Sequence, residues 1–191
     1  METLILTGWG WSDYACAAAL ALRHFGKADI RGVSTRRLPE LLNEISGYKT
    51  ILILGVGLTG NPELLQKGVE KLRAKGCNIR WISALPFPGN LPDSLRILLN
   101  PFIDEDGVTA AVSNCFGIPY DDLLPLVREE NATSELRQFR QLLEAAMYFY
   151  RNYQEEKPYS DAIRHIAQCD PESKWSDSER QMLEHYKRFG N

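Results

Sequence analysis

At 191 residues, with 44% hydrophobic and 25% charged positions, the chain is long enough to bury a real core and has an ordinary globular composition. A net charge of −3 and a sequence pI of about 5.7 give no electrostatic reason to expect nucleic acid or an anionic membrane as a partner. The four cysteines (Cys16, Cys77, Cys115, Cys169) are scattered without a C-x-x-C pair, which argues against a disulfide frame or zinc site and for free thiols. Met1-Glu2-Thr3 is not a cationic leader, and no apolar run approaches the ~20 residues of a membrane span, so the expectation is a cytoplasmic protein with no membrane partner.

The chain opens with an apolar strand around Leu4-Ile5-Leu6, which runs into a glycine turn at Gly8 and Gly10. A helix from Asp13 to Phe25 follows, with Ser12 as N-cap, Gly26 as stop and the small-residue run Ala17-Ala18-Ala19 suited to close packing on a sheet. A second strand is expected over Asp29 to Ser34, then a short helix from Pro39 to Ile45. Thr50 to Leu54 is an uninterrupted apolar run, the pattern of a central parallel strand buried on both faces. It ends in a second glycine turn (Gly55, Gly57, Gly60), after which Asn61 caps a helix begun by Pro62 and stopped by Gly76. Asn78 to Ile82 reads as a fourth strand, Leu91 to Leu99 as a short helix and Val108 to Val112 as a fifth strand. Strands alternating with helices in this way predict an open parallel sheet of about five strands with flanking helices.

Beyond about Pro119 the pattern is helical. Apolar residues recur at helical spacing from Ser134 to Tyr153, Lys157-Pro158 interrupts, and a further helix is expected over Ser160 to Ala167. Ser176-Asp177-Ser178-Glu179 is a capping box that starts a last helix, with Gly190 just past its end. The expected organisation is an α/β domain over residues 1–118 and a helical C-terminal segment over residues 119–191.

The two glycine turns follow strands one and three, which in an open parallel sheet are commonly neighbours whose C-terminal ends flank the ligand crevice. Gly8, Gly10, Gly55 and Gly57 would let backbone approach a ligand there, with Trp9 and Trp11 stacking on it or covering it. Ser12, Asp13, Thr59 and Ser83 complete the candidate lining. At the end of strand two, Thr35, Arg36 and Arg37 are placed to bind an anion, such as the 2′-phosphate of a dinucleotide. Gly8-x-Gly10-x-x-Asp13 matches only half of the dinucleotide fingerprint, since Asp13 stands where a third glycine belongs and would repel a pyrophosphate. Asp13 is better suited to the positive end of its own helix. Asp104, Glu105 and Asp106 make an acidic turn without a further acid to complete a cation shell, and His24, His165 and His185 lie apart on helices without a ligand partner. Nothing marks Cys115 as an activated nucleophile.

Together these segments resemble the N-terminal domain of the DHH phosphoesterase superfamily. The resemblance runs through Ile5 to Leu20, Ile51 to Leu65 with its Gly-Leu-Thr-Gly-Asn-Pro-Glu turn, and Ile79 to Pro86. It implies a Rossmann-like α/β fold and metal-dependent phosphoester hydrolysis, yet it also implies that the metal ligands are gone. The family's histidine and two aspartates of the first motif fall on Gly8, Gly10 and Ser12, the second-motif aspartate on Gly55, and the Asp-His-His triplet on Ser83-Ala84-Leu85. The resulting expectation is a catalytically silent DHH-like domain without catalytic residues, metal ligands or cofactor. It would act as a small-anion or nucleotide sensor or a protein-docking module, as the N-terminal regulatory domain of a larger regulator. A phosphate-containing small ligand, a further domain or partner protein, and a second copy of the chain are the partners in view. The alternatives are an active phosphoesterase of the DHH family and an NADP-dependent oxidoreductase that uses Arg36 and Arg37.

Overall fold

A computed structural model describes residues 2–9, 12–128, 134–153, 155–168 and 175–190, and within these the side chains of all but 134–136. The β-rich runs form one parallel sheet of β1 (Thr3–Thr7), β2 (Asp29–Gly32), β3 (Thr50–Leu54), β4 (Asn78–Ser83) and β5 (Phe102–Ile103), in the order β2-β1-β3-β4-β5. The chain therefore steps from β1 to β2 on one side and returns to β3 on the other. This reversal leaves the C-terminal ends of β1 and β3 adjacent, in the register Thr7 to Leu54.

Side chains alternate across the sheet as a strand's period of two requires. Leu4, Leu6, Ile51, Ile53, Ile79 and Trp81 face a layer made by α2 (Leu38–Glu44), α3 (Pro62–Ala74) and α4 (Asp93–Leu99). Ile5, Ile30, Leu52, Leu54 and Ile82 face the other layer, in which α1 (Ser12–Phe25) is central. Leu4, Ile5 and Leu6 are fully buried, worth about 1.5–3 kcal/mol each relative to exposure. Every residue of α1 from Ala15 to Leu22 is buried, because α5 (Val108–Phe116) and α8 (Lys157–Gln168) pack on the sides that the sheet leaves open. The alanines make that approach possible on three sides at once. The remaining helices, α6 (Leu124–Arg128), α7 (Ser134–Tyr153) and α9 (Asp177–Phe189), complete the helical segment.

Two local expectations need correction. Val108 to Val112 is not a strand: it opens α5, and the fifth strand is the two-residue β5 before it. The β-branched residues suggest a strand, but burial over Val108–Ser113 is continuous and not alternating, and Gly107 turns the chain at φ +128 into a helix capped from elsewhere. Lys157-Pro158 does not separate two helices at that point but begins α8, where proline's fixed φ is tolerated. Strand three, the Asn61 cap and the Ser176–Glu179 capping box match their expected positions. Among the described residues no helix is long and apolar enough to cross a membrane.

Candidate functional site

The mouth of the sheet begins where backbone hydrogen bonds carry pairing past the strand ends. Gly8 N donates to Leu54 O (3.0 Å) and Gly55 N to Ile82 O (2.9 Å). The space between these ends holds Tyr14. A Cβ built on Gly8 would lie 2.7 Å from one edge of the Tyr14 ring, and a Cβ on Gly55, whose φ is +64, would lie 2.7 Å from the other edge. The first turn of α1 is tied to β1 by Thr7 Oγ1, which donates to Tyr14 O at 3.1 Å. Burial, reinforced by the neighbouring Asp13 charge, pushes the Tyr14 hydroxyl above its ordinary pKa and keeps it neutral.

Trp9 turns away from this crevice and lies over the end of β2. A Cβ on Gly32 would fall 2.0 Å from its ring, so glycine there is what lets the indole lie flat on the strand. Tyr150 stacks on the indole at 3.7 Å with an interplanar angle of 14°, and Tyr159 lies 4.5 Å away. The fully buried Tyr159 donates its hydroxyl to Gly8 O at 3.0 Å, and burial raises its pKa well above the usual phenol value. Among the described residues the buried Trp9 indole N–H has no acceptor.

Most of the other candidate residues lie at two cavities. Gly55, Gly57, Thr59 and Ser83 meet Tyr14 and Leu85 around a cavity of about 100 Å³ at the ends of β3 and β4. Ser83 Oγ there accepts the Leu85 N–H (3.0 Å), and Trp81 Nε1 donates to Val56 O (2.8 Å). Thr35 leans over this turn, with its Oγ1 3.1 Å from a Cβ built on Gly57. At the end of β2, Arg31, Ser34, Arg37, Glu44, Tyr150 and Glu156 are among the residues lining a second cavity of about 180 Å³. Arg37 already pairs with Glu40 (2.5 Å) and Glu44 (2.6 Å), while Arg36 is exposed. Gly10 and Trp11 lie outside the described residues.

Asp13 lies in the first turn of its own helix, and its carboxylate bonds to the N-terminus of another. Its two carboxylate oxygens accept from Val108 N (2.8 Å) and Thr109 N (2.9 Å), and Thr109 Oγ1 donates to Asp13 O (2.8 Å). The carboxylate therefore caps α5, whose own N-cap is a glycine. Asp104, in the acidic turn, accepts from Asp106 N and Asn114 Nδ2. His165 is buried and bonded to Glu179 at 2.8 Å, and Arg80 contacts Cys115 Sγ at 2.9 Å.

The residues at the positions that the DHH resemblance assigns to divalent metals do not fit such ions. Gly8, Gly55 and Ala84 offer no donor side chain, and Leu85 is aliphatic. Ser83 Oγ is occupied by a backbone amide, Tyr14 fills the space between the strand ends, and the neighbouring carboxylate of Asp13 is bound to α5. Among the described residues no three His, Cys, Asp or Glu side chains gather closely enough to hold a metal. The sequence reading missed Tyr14, Tyr150 and Tyr159. The one available signal was a bulky aromatic at the head of an otherwise alanine-rich helix.

No protein-family model matches the chain, and neither does any curated protein. Two solved structures are similar along 98% of it. One is RecJ from Thermus thermophilus in complex with Mn2+, with 15% identity and a TM-score of 0.53; the other is an uncharacterized protein from Helicobacter pylori, with 14% identity, a TM-score of 0.48 and 71% of that chain covered. The chain spans about a third (34%) of the RecJ chain. At this identity the likeness is one of fold: the α/β architecture described here resembles that of the part of RecJ it covers.

Proposed function

We propose that this chain is a DHH-like domain without metal-dependent hydrolysis that works by docking another protein. The observation that carries the first half is Tyr14, wedged between Gly8 and Gly55 where the resemblance locates metal ligands. Hydrolysis of that type needs ions held by acids and histidines to activate water and offset phosphoryl charge. Among the described residues no histidine lines the crevice between Gly8 and Gly55, and the neighbouring Asp13 carboxylate is bound to α5.

Size favours docking over nucleotide sensing. Ligand pockets are typically about 300–1,000 Å³, whereas the described cavities at the mouth of the sheet measure about 100 and 180 Å³. Neither encloses a nucleotide or NADP, and Arg37 reaches its own helix's glutamates instead of an open anion seat. A small-anion reading is kept for the 180 Å³ cavity alone, because Arg31, Ser34 and Arg37 meet there.

The test is an assay with manganese and an activated aryl phosphodiester, run beside a thermal-shift series with manganese, inorganic phosphate and NADP. The expected result is no turnover above buffer and no shift with manganese or NADP. Manganese-dependent turnover would overturn the reading. A phosphate-dependent shift lost in Arg31→Ala would favour the small-anion reading instead, since a ligand that binds only the folded state raises its melting temperature by mass action.

A further inference from the structure

The largest of the described cavities lies away from the sheet, in the helical segment. Helices α8 and α9 both pack on α7 and are joined by the buried His165–Glu179 pair. Beyond that pair, toward the start of α8, they leave a groove of about 390 Å³. Phe149, Pro158 and Met182 give it an apolar lining, and Glu155, Asp161 and Glu179 contribute carboxylates. Lys157 is its one lysine and is already bonded to Asp161 at 2.8 Å, while Glu179 is held by His165 and Ser176. Glu155 is exposed and makes no bond among the described residues. The apolar strip continues out of the groove: His185 contacts Phe149 (5.2 Å) and Phe189 (4.8 Å) and bonds to the Tyr153 hydroxyl (3.0 Å). Tyr153 and Phe189 are 49% and 60% exposed, so a run of aromatic surface faces water beside an acidic rim. Exposed apolar patches with polar rims mark interaction sites.

Resting on the docking reading above, we propose that this groove receives a basic amphipathic helix of a partner protein. An apolar face laid along a groove is a recurring mode of helix recognition. Its leucine- or phenylalanine-type side chains enter against Phe149, Pro158 and Met182. Its lysines or arginines reach Glu155 and Asp161 at the rim and stack on the exposed rings of Tyr153 and Phe189. The lining carries three carboxylates to one lysine, and that sign favours a basic helix over an acidic one.

The test uses the full chain and fluorescein-labelled peptides of about 18 residues, five helical turns, followed by fluorescence anisotropy. A leucine/lysine amphipathic peptide is compared with a leucine/glutamate peptide of the same pattern and with a serine/lysine peptide of the same charge. The expected result is saturable, salt-sensitive binding of the leucine/lysine peptide, at least about tenfold tighter than either control. The surface pair Glu155→Lys with Asp161→Lys should weaken it by about tenfold or more, whereas Glu70→Lys with Glu105→Lys, on other surfaces, should leave it unchanged. Circular dichroism confirms that each variant folds. Absence of saturable binding, binding of either control as tight as that of the leucine/lysine peptide, or equal weakening by both variant pairs would overturn the proposal. Self-association seen by light scattering and abolished by the Glu155→Lys, Asp161→Lys pair would also overturn it, by placing a second copy in the groove. The phosphodiester assay addresses the silent mouth independently, so either reading can fail alone.

Discussion

Tyr14 touches Gly8 with one edge of its ring and Gly55 with the other, so the three residues behave as one packing unit. A methyl at position 8 must displace that ring, and overpacking of this kind costs about 1–3 kcal/mol. Gly8→Ala should therefore destabilise the chain by that amount in urea unfolding, and most of the penalty should vanish in a Tyr14→Ala background. Such non-additivity is how a shared contact is recognised. Gly55→Ala should be worse, because its φ of +64 adds about 1–2 kcal/mol of left-handed strain that removing Tyr14 does not relieve. Trp9 presents the opposite case. Its ring lies against Gly32 and stacks on Tyr150, but among the described residues its buried indole N–H has no acceptor, a state that costs about 1–3 kcal/mol. Trp9→Phe keeps an aromatic ring and removes the unmet donor, so its thermal midpoint should equal or exceed that of the parent, whereas Trp9→Ala should lower it clearly. At this scale the sequence is informative about backbone and mute about what approaches it. Glycines 8 and 55 announce a close approach, but that the approaching group is the chain's own tyrosine depends on how α1 leaves the turn, which no local pattern encodes.

Elements were legible where their end signals are local. The α9 capping box joins residues three apart, Ser176 and Glu179, and can be read from four letters. Helix α5 carries no such signal, because its cap comes from Asp13, ninety-five residues earlier in the chain. Its opening Val-Thr-Ala-Ala-Val then reads as a strand. Asp13→Ala removes two amide partners at once and should reduce stability by about 1–2 kcal/mol, while Asp13→Asn, which retains one acceptor, should lose less; chemical denaturation resolves the two. The α9 cap also makes stability respond to acid. Burial by itself would raise the Glu179 carboxyl, but hydrogen bonds from Ser176 and His165 outweigh it and hold the group below the ordinary carboxylate value. A lowered folded pKa stabilises the protein above the unfolded value of about 4.3, and that contribution disappears as pH falls through the folded one. Melting temperatures taken from neutral pH down through the carboxylate range should fall more steeply for the parent than for Glu179→Gln, which has no proton to take up.

The whole molecule is held together around α1, which binds the α/β layer to the helical segment. One apolar cluster runs without interruption from Ile5 and Leu52 on the sheet, through Ala15 to Leu22, to Leu142, Ala146, Ile163 and Ile166 of the C-terminal helices. Polar bonds cross the same boundary. Arg23 reaches Ala167 O (2.8 Å) and Asp122 (2.8 Å), Arg164 reaches Ala28 O (2.9 Å), and Tyr159 reaches Gly8 O (3.0 Å). A parallel sheet is stable only with both faces covered, and here the cover over α1 comes partly from residues beyond position 118. The sequence shows where its character changes but not that the later helices finish the earlier core, since an all-alanine face on α1 looks the same whether it meets one neighbour or three. The full chain should therefore unfold in a single calorimetric transition whose van't Hoff and calorimetric enthalpies agree. A fragment ending at residue 118 should expose the α1 surface that α8 covers, bind a hydrophobic dye and lack a cooperative melt. If the fragment instead melts sharply near the temperature of the full chain, the shared cluster contributes little to its stability and the helical segment is an appendage. The Trp9 and Tyr159 contacts make the first outcome the physical expectation, because losing α7 and α8 removes both tyrosine rings packed against Trp9 and the donor to Gly8, and so leaves the mouth of the sheet without its cover.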